Sequence, residues 1–283
     1  MPKIFVYGTL RDGESNHHFL QNASCLLKQT WVHGELFDTD CGYPVMKSHD
    51  IEKVIGEVYE VSSSVLASID ELEGYQMNGT NNLYERITLD VYNDKGESIK
   101  AITYINGRSS FKATNKIAFG DWKVYNYLQK DKLLYYAYGS CMDDERFKKA
   151  NVDHYFLDLK GMGLLEEHGL RFSHSTADGG KADIVEAEHE HVEGKVYQVP
   201  NQAIDYLYKR EGVFTNSYRP AVVTVIIDGH RTEVLTFIVI DKNPETPPSV
   251  LYKTEIIRGG TGILGKDYLE NITSRMNKLC VER

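Results

Sequence analysis

Both halves of the chain contain the same succession of apolar and polar segments. Residues 4–7 and 133–138 are short apolar and aromatic runs that end at a glycine, as is typical of buried strands. Residues 54–61 and 194–199 have the same character. We therefore predict two buried strands at corresponding places in each half.

A helical pattern follows the second strand in each half. Apolar residues recur at intervals of three and four after residues 62–64 in the first half, and after Pro200 and Asn201 in the second. Gly74 and Gly212 stand where a C-terminal cap belongs. We therefore predict one helix in each half. Its apolar positions are Val65, Leu66, Ile69 and Leu72 in the first half and Ile204, Leu207 and Tyr208 in the second.

Each helix precedes a predicted hairpin. Residues 87–105 alternate apolar and polar positions around a turn that contains glycine, and residues 221–240 are two apolar runs joined by Asp228-Gly229. The dipeptide Asp-Gly is a strong hairpin signal because both of its residues tolerate positive φ. These elements predict a mixed α+β unit that is built twice along the chain.

The length of 283 residues suits two domains, and we place them at 1–131 and 132–283. The formal net charge of −9, without any block of lysine or arginine, argues against nucleic acid or an anionic membrane as the main partner. The longest apolar stretches have strand length, so we expect no membrane span. Four cysteines without C-x-x-C spacing, and a start without a signal-peptide pattern, favour a cytoplasmic protein with reduced thiols.

A glutamate ends the helical pattern in each half. Glu73 follows Tyr59 by 14 residues, and Glu211 follows Tyr197 by 14 residues. Helical phase places both glutamates on the apolar face in the last turn, where burial and the helix dipole raise the pKa of a carboxyl group. Such a group is a candidate general acid/base. The alternative is a boundary glutamate that reaches solvent or pairs with an arginine.

The first strand of each half ends in a Tyr-Gly-Thr or Tyr-Gly-Ser turn, at 7–9 and 138–140. A strand that ends in glycine and opens into a helix directs free backbone N–H groups to one point, which suits a carboxylate or a developing oxyanion. Thr9 and Ser140 add a hydroxyl group. Taken alone, such a tripeptide is also compatible with a simple turn.

Together these features resemble the gamma-glutamylcyclotransferase-like superfamily, which combines a Tyr-Gly-[Ser/Thr] loop with a catalytic glutamate in an L-D-x-x-E-G-type stretch. The first half has VYGTL at 6–10 and IDELEGY at 69–75, and it looks like the γ-glutamylamine branch. The second half has YGSCM at 138–142 and LYKREG at 207–212, and it looks like the γ-glutamyl peptide branch. The resemblance implies two tandem gamma-glutamylcyclotransferase-like domains of the α+β class, each a small mixed β-barrel with flanking helices.

The resemblance also implies an activity. The α-amine of a small γ-glutamyl substrate attacks its own γ-carbonyl, which releases an amine or peptide and leaves 5-oxoproline; neither a metal nor a cofactor takes part. Glu73 and Glu211 would be the catalytic acid/base groups. The implied substrate-binding residues are Tyr7, Gly8, Thr9 and Leu10 in the first half and Tyr138, Gly139, Ser140 and Cys141 in the second.

The second half departs from the family pattern at two positions. Tyr208 stands where the family has aspartate, and Cys141 stands where it usually has asparagine. Either change would alter the specificity of the second site or remove its activity.

Five further residues are candidates for accessory roles. Arg11, Arg86 and Arg219 would supply positive charge to an anionic substrate, with ion pairs inside the fold as the alternative for each. Tyr84 and Tyr218 lie soon after the glutamates and would orient them, with core or surface packing as the alternative.

Three other functions compete with the cyclotransferase hypothesis. Cys141 with a histidine such as His174 would form a nucleophilic amidohydrolase, but the first half has no matching cysteine. Residues 188–191 (EHEH) would bind a metal, but no third ligand is evident and a solvated loop is favoured. The third is a partly degenerate, non-catalytic fold that binds a small carboxylate metabolite or a protein partner. The sequence carries no signal for an oligomeric state.

Overall fold

The computed structural model describes residues 1–107 and 115–281. The chain divides into two compact units, Met1–Asn126 and Tyr127–Arg283, a few residues before the predicted limits at 131 and 132. Each unit contains a closed barrel of five strands. The predicted α+β class with one barrel in each half is therefore confirmed.

The barrel of the first unit has the strand order β1-β5-β2-β6-β7, and a parallel pairing of Ile4 with Ile102 closes it. A separate sheet of three short strands has the order β4-β3-β8. Helices α1 (Ser63–Leu72) and α2 (Trp122–Tyr127) accompany the strands. The strands are β1 (Lys3–Val6), β2 (Ser24–His33), β3 (Glu35–Asp38), β4 (Pro44–Lys47), β5 (Lys53–Glu60), β6 (Tyr84–Asn93), β7 (Ser98–Asn106) and β8 (Asn115–Lys116).

The barrel of the second unit has the order β10-β11-β9-β13-β12, and β10 pairs with β12 to close it. Its strands are β9 (Lys132–Ala137), β10 (Asp158–Thr176), β11 (Gly179–Pro200), β12 (Tyr218–Ile227) and β13 (His230–Val239). Its helices are α3 (Asp144–Lys149), α4 (Ala203–Arg210), α5 (Val250–Gly260) and α6 (Lys266–Val281). None of the helices within the described residues is long and apolar enough to cross a membrane.

The strands predicted at the start of each half form as expected, and β1 is buried on both faces. Phe5 packs in one apolar cluster with Val32 and Trp122, whereas Ile4 and Val6 belong to a second cluster. Alternate residues of a strand point to opposite faces, so a continuous apolar run is what a strand between two cores requires.

A glycine allows the first strand to approach its neighbour in each barrel. A Cβ added to Gly56 would lie 2.4 Å from the Val6 carbonyl oxygen, and one added to Gly194 would lie 2.5 Å from the carbonyl oxygen of Ala137. Any larger residue would separate these strands. The glycines at 56 and 194 therefore mark the same packing position in both units.

The predicted helices end where their glycines indicated. Ser62 caps α1 by accepting a hydrogen bond from the Val65 N–H, and α1 ends at Leu72, with Glu73 as its C-cap residue before Gly74, whose φ is +60°. Helix α4 ends at Arg210, with Glu211 as its C-cap residue before Gly212, whose φ is +61°. This left-handed conformation costs glycine little, so it stops both helices directly after the glutamate.

The two predicted hairpins are also present. Strands β6 and β7 pair antiparallel, as do β12 and β13. Asp228 and Gly229 both have positive φ, of 48° and 81°, which is the two-residue turn that the dipeptide predicts.

Candidate functional site

The first unit contains a cavity of about 350 Å³, here called the first cavity. It lies where the segment after β1, the end of α1 and the start of β6 meet, and residues 41–44 form another wall. Glu73 and all four predicted binding residues of this half, Tyr7, Gly8, Thr9 and Leu10, line it. The structure thus brings together residues that are about 65 positions apart in the sequence.

Glu73 is a carboxylate in an apolar setting. The end of α1 places it beside Leu72 and Leu83 in the cavity wall. Burial raises its pKa from an ordinary value of 4.5 to about 7. Within the described residues its side chain makes neither an ion pair nor a hydrogen bond. The predicted rise in pKa is confirmed here, and the carboxylate is available to a ligand.

The loop after β1 presents backbone donors to the first cavity. The N–H groups of Gly8, Thr9 and Leu10 donate to no acceptor within the described residues. A Cβ added to Gly8 would lie 2.8 Å from Cγ of Pro44, so a glycine is required where the loop passes β4. Consecutive unpaired N–H groups at a cavity suit the binding of a carboxylate or an oxyanion.

Two hydrogen bonds fix the side chains of this loop. The Tyr7 hydroxyl donates to the Tyr104 carbonyl oxygen at 2.8 Å, and the Thr9 hydroxyl accepts from the Asn16 amide at 3.0 Å. Both partners also line the first cavity. The loop is therefore held in place from two sides.

Arg11 connects the loop after β1 to the barrel and does not line the first cavity. Its guanidinium donates to Glu57 at 3.1 Å and to Asp121 at 2.7 Å, and all three side chains are buried. Glu57 also accepts from the Asp12 N–H at 2.8 Å. The structure thus places the predicted accessory Arg11 in a buried ion-pair cluster, because two carboxylates satisfy its charge inside the fold.

Arg86 likewise lies outside the first cavity. It pairs with Asp70 at 2.6 Å, and the Tyr104 hydroxyl donates to the same carboxylate at 2.7 Å. Tyr84 does line the cavity, but its hydroxyl donates to the Pro44 carbonyl oxygen at 2.8 Å. Arg86 and Asp70 connect the end of α1 to the hairpin of β6 and β7, while Tyr84 forms part of the wall.

The second unit has a cavity of about 330 Å³ at the corresponding place, the second cavity. Glu211 and Ser140 line it, together with Tyr218 and Tyr252. Tyr138, Gly139 and Cys141 do not line it, in contrast to the first unit. Four lysine and arginine side chains are among its described lining residues: Arg146, Lys181, Lys209 and Arg210.

Family profiles match both halves of the chain. The profile described as gamma-glutamyl cyclotransferase, AIG2-like matches residues 4–124, and one described as AIG2-like matches residues 191–272. The putative gamma-glutamylcyclotransferase YkqA of Bacillus subtilis is 39% identical to this chain over 98% of both sequences. The chain belongs to the gamma-glutamylcyclotransferase, AIG2-like family.

Two further similarities agree with this membership. The crystal structure of Bacillus subtilis YkqA matches this cyclotransferase-family chain with a TM-score of 0.87 and covers 98% of both chains. The gamma-L-glutamyl-butirosin B gamma-glutamyl cyclotransferase of Niallia circulans is 43% identical over 126 residues, which are 44% of this chain and 78% of that protein. The tandem arrangement of two cyclotransferase-like domains is therefore shared with YkqA over nearly its full length.

Tyr208, which stands where the first half has Asp70, is one of three neighbouring residues that differ together between the two units. Asp70, Arg86 and Tyr104 form one polar cluster in the first unit, and Arg86 lies opposite Tyr104 in the strand pairing. At the corresponding positions the second unit has Tyr208, Pro220 and Phe237, with Pro220 opposite Phe237. Tyr208 packs edge-on against Phe237 with ring centroids 5.9 Å apart. Aromatic packing near Glu211 thus takes the place that the ion pair of Asp70 and Arg86 has near Glu73.

The other departure, Cys141, contacts the second glutamate directly. Its thiol donates to Oε1 of Glu211 at 3.0 Å. Burial, followed by the nearby Glu211 charge, raises the pKa of the Cys141 thiol to about 12. A thiol that stays protonated is a weak nucleophile at neutral pH, and within the described residues no hydrogen bond joins it to His174. The amidohydrolase hypothesis is therefore not supported.

The remaining accessory candidates of the second half have different positions. Tyr218 lines the second cavity, and its hydroxyl donates to the Ala182 carbonyl oxygen at 2.8 Å. Arg219 does not line the cavity and lies within 3.5 Å of the Pro220 carbonyl oxygen. Sequence reasoning missed Tyr252, and it missed Arg210 although this residue stands in the motif at 207–212 that contributes to the family resemblance.

Residues 188–191 lie in strand β11, where the sequence favoured a loop, and their side chains are exposed. Glu190 forms a bidentate ion pair with Arg171 at 2.6 and 2.8 Å. Across residues 1–107 and 115–281, no group of three or more His, Cys, Asp or Glu side chains is placed to hold a metal ion.

Proposed function

We propose that this protein converts a γ-glutamyl amine or peptide into 5-oxoproline and the free amine, with Glu73 as general acid/base. The observation that carries the proposal is the first cavity itself. It combines a carboxyl group whose pKa is raised to about 7 with three unpaired backbone N–H groups. Those are the two kinds of group that an intramolecular aminolysis requires.

The first step is the activation of the substrate's own amine. Glu73 accepts a proton from the α-ammonium group, and the freed amine attacks the γ-carbonyl carbon. A cavity of about 350 Å³ holds the glutamyl chain in a folded conformation, which brings the amine close to the carbonyl. Neither a protein nucleophile nor a second reactant is needed.

The second step is the collapse of the tetrahedral intermediate. The N–H groups of Gly8, Thr9 and Leu10 stabilise the negative charge on its oxygen. The bond from the carbonyl carbon to the leaving nitrogen then breaks, and Glu73 returns the proton to that nitrogen. The attacking nitrogen then loses its second proton to Glu73, which passes it to the released amine. The products are a five-membered lactam and an ammonium ion, and the carboxylate is regenerated.

Glu211 is proposed as the acid/base group of a second centre. It occupies the same position after α4 that Glu73 occupies after α1, and it lines a cavity of similar volume. Its hydrogen bond from the Cys141 thiol is a difference that we expect to change its rate rather than its role.

The similar proteins support the same class of reaction. The Niallia circulans relative is a γ-glutamyl cyclotransferase that acts on a γ-glutamyl conjugate, according to its name, and YkqA is a putative gamma-glutamylcyclotransferase. An assay with several γ-glutamyl compounds decides which amine this chain's substrate carries.

The test measures 5-oxoproline release from γ-glutamyl-ε-lysine, γ-glutamyl-alanine and glutathione. We expect turnover of at least one compound, and a loss of roughly 10²–10⁴-fold in the Glu73→Gln/Glu211→Gln double variant, the usual contribution of a general acid/base. The matched controls are Glu71→Gln and Asp205→Asn, exposed carboxylates near the end of α1 and in α4.

Two results would contradict the proposal. Full activity in the double variant would remove both glutamates from the mechanism. Binding of the compounds by folded protein without any turnover would favour the non-catalytic alternative, a binder of small carboxylate metabolites.

A further inference from the structure

The residue before the glutamate differs between the two sites. Leu72 precedes Glu73 and lines the first cavity, whereas Arg210 precedes Glu211 and lines the second. Both residues end their helices, α1 and α4, in the same way. An apolar side chain in one site therefore has a guanidinium as its counterpart in the other.

Arg210 forms no ion pair within the described part of the chain, although the charge of the neighbouring Glu211 acts on it. One of its nitrogens lies 3.3 Å from the Ser140 hydroxyl, which is its only hydrogen-bond partner there. In the first unit the corresponding hydroxyl, that of Thr9, is bound by the neutral amide of Asn16. A partly buried guanidinium with one neutral partner keeps donors available for an anion, because it carries five N–H groups.

The other lysine and arginine residues of the second cavity are paired or exposed. Arg146 forms an ion pair with Glu255, and Lys181 pairs with Asp178 at 2.7 Å. Lys209 is exposed. In the first cavity, Glu73 is the only acidic or basic side chain among the described lining residues. The two cavities therefore differ in charge, and among the described lysines and arginines of the second, Arg210 is the partly buried one that forms no ion pair.

We propose that Arg210 binds a carboxylate on the leaving portion of the substrate, so that the second site prefers γ-glutamyl amino acids and peptides over uncharged γ-glutamyl amides. This inference rests on the proposed function. Glu211 protonates the leaving nitrogen, and in a γ-glutamyl amino acid the carboxylate is separated from that nitrogen by a single carbon. The adjacent residue, Arg210, is placed to meet it. The first site, with Leu72 at this position, has no such preference.

The experiment compares γ-glutamylglycine with γ-glutamylglycinamide, which differ only in the terminal carboxylate. In the full-length Glu73→Gln variant only the second site turns over. We expect its kcat/KM to be roughly tenfold or more higher for the acid, mainly through KM, since hydrogen bonds to charged groups contribute at about this level. Adding Arg210→Leu should bring the ratio close to one, because kcat/KM should fall much further for the acid than for the amide.

The reciprocal change gives a matched control. In the Glu211→Gln variant, where only the first site turns over, Leu72→Arg should raise the ratio in favour of the acid. Arg210→Gln, which keeps a donor for Ser140, replaces Arg210→Leu if thermal unfolding shows that the leucine variant is not folded.

The proposal is overturned if Arg210→Leu lowers kcat/KM equally for both compounds, which would mean that Arg210 binds the α-carboxylate that they share. An unchanged ratio would overturn it as well. If neither compound is turned over, calorimetric titration of the Glu211→Gln variant separates the two proposals. Tighter binding of the acid that depends on Arg210 would support this inference and defeat the proposed reaction, and equal binding would overturn the inference.

Discussion

Glu73 acquires its chemistry from residues that are distant in the sequence. The helical pattern places it at the end of α1, but the raised pKa comes from the walls that the β1 loop and β6 provide. A carboxyl group in this environment has two consequences that can be measured separately, one for the rate and one for stability.

The rate of the first site should depend on pH with a midpoint near 7. The base form of Glu73 accepts the proton, so kcat/KM of the Glu211→Gln variant should rise as the pH increases through about 7. A pH–rate profile between pH 5 and 9 measures this. A midpoint near the ordinary glutamate value would show that Glu73 is not the base.

The stability of the first unit should fall over a similar range. The folded-state pKa of Glu73 lies above its unfolded value, so the folded protein binds more protons between pH 4.5 and about 7, and the free energy of unfolding decreases as pH rises through that window. Glu73→Gln should therefore stabilise the protein at pH 8 by up to roughly 3 kcal/mol and have little effect at pH 4. Denaturant unfolding at both pH values tests this, with Glu71→Gln as the control. Equal effects at the two pH values would contradict the burial argument.

At the scale of elements, the β1 loop depends on ion pairs that anchor it to its barrel. Arg11 joins the loop to Glu57 on β5 and to Asp121 before α2. In the second unit the corresponding position of β5 is Lys195 on β11. Its ammonium donates to the Met142 carbonyl oxygen at 2.8 Å and lies 3.5 Å from Asp144. The two units keep the connection between loop and barrel but exchange the positions of the charges.

Arg11→Met, which introduces the residue of the second unit, should cost on the order of 3–5 kcal/mol because it leaves buried carboxylates without their cation. The double variant Arg11→Met/Glu57→Gln should recover part of this loss. Denaturant unfolding of the two variants, and of Glu57→Gln alone, measures the coupling. If the double variant were no more stable than Arg11→Met, the pair would not be the anchor of the loop.

The elements that local pattern specifies were predictable, and the contacts between distant elements were not. The ends of α1 and α4 and the Asp228-Gly229 turn follow from capping and turn chemistry within a few residues. The sheet of β3, β4 and β8 gave no signal, because its strands are short and its pairing is long-range. Pro44 of that sheet nevertheless forms part of the first cavity.

The same difference between local patterns and long-range contacts applies to the candidate site. The glutamates and the glycine-containing turns were identified from their repeated spacing. For Arg11 and Arg86 the sequence leaves substrate binding and ion pairs inside the fold as alternatives, because it does not show that Glu57, Asp121 and Asp70 already bind them. Arg210 was missed because nothing in the sequence shows that it is left without a carboxylate.

At the scale of the whole molecule, each cavity lies within its own unit and is built from that unit's residues. We therefore expect two independent activities in one chain. The kcat/KM values of Glu73→Gln and Glu211→Gln for any substrate should sum to that of the unmodified protein. A substrate preferred by one site, when saturating, should leave the turnover of the other site unchanged. Strong mutual inhibition would show that one site processes both substrates.

Arg11 with Glu57 in the first unit and Lys195 in the second hold the loop to the barrel with charges in reversed positions. This reversal should limit sequence exchange between the two halves of the gene. The halves are similar enough in layout for recombination to copy part of one into the other. A hybrid domain with Arg11 from the first half and Lys195 from the second would bury two cations together, and the opposite hybrid would place Met142 against Glu57 and leave that carboxylate without its cation. Gene conversion that separates these positions would produce a domain that folds poorly. We therefore expect this reversal of charge to disfavour sequence exchange between the two halves at these positions.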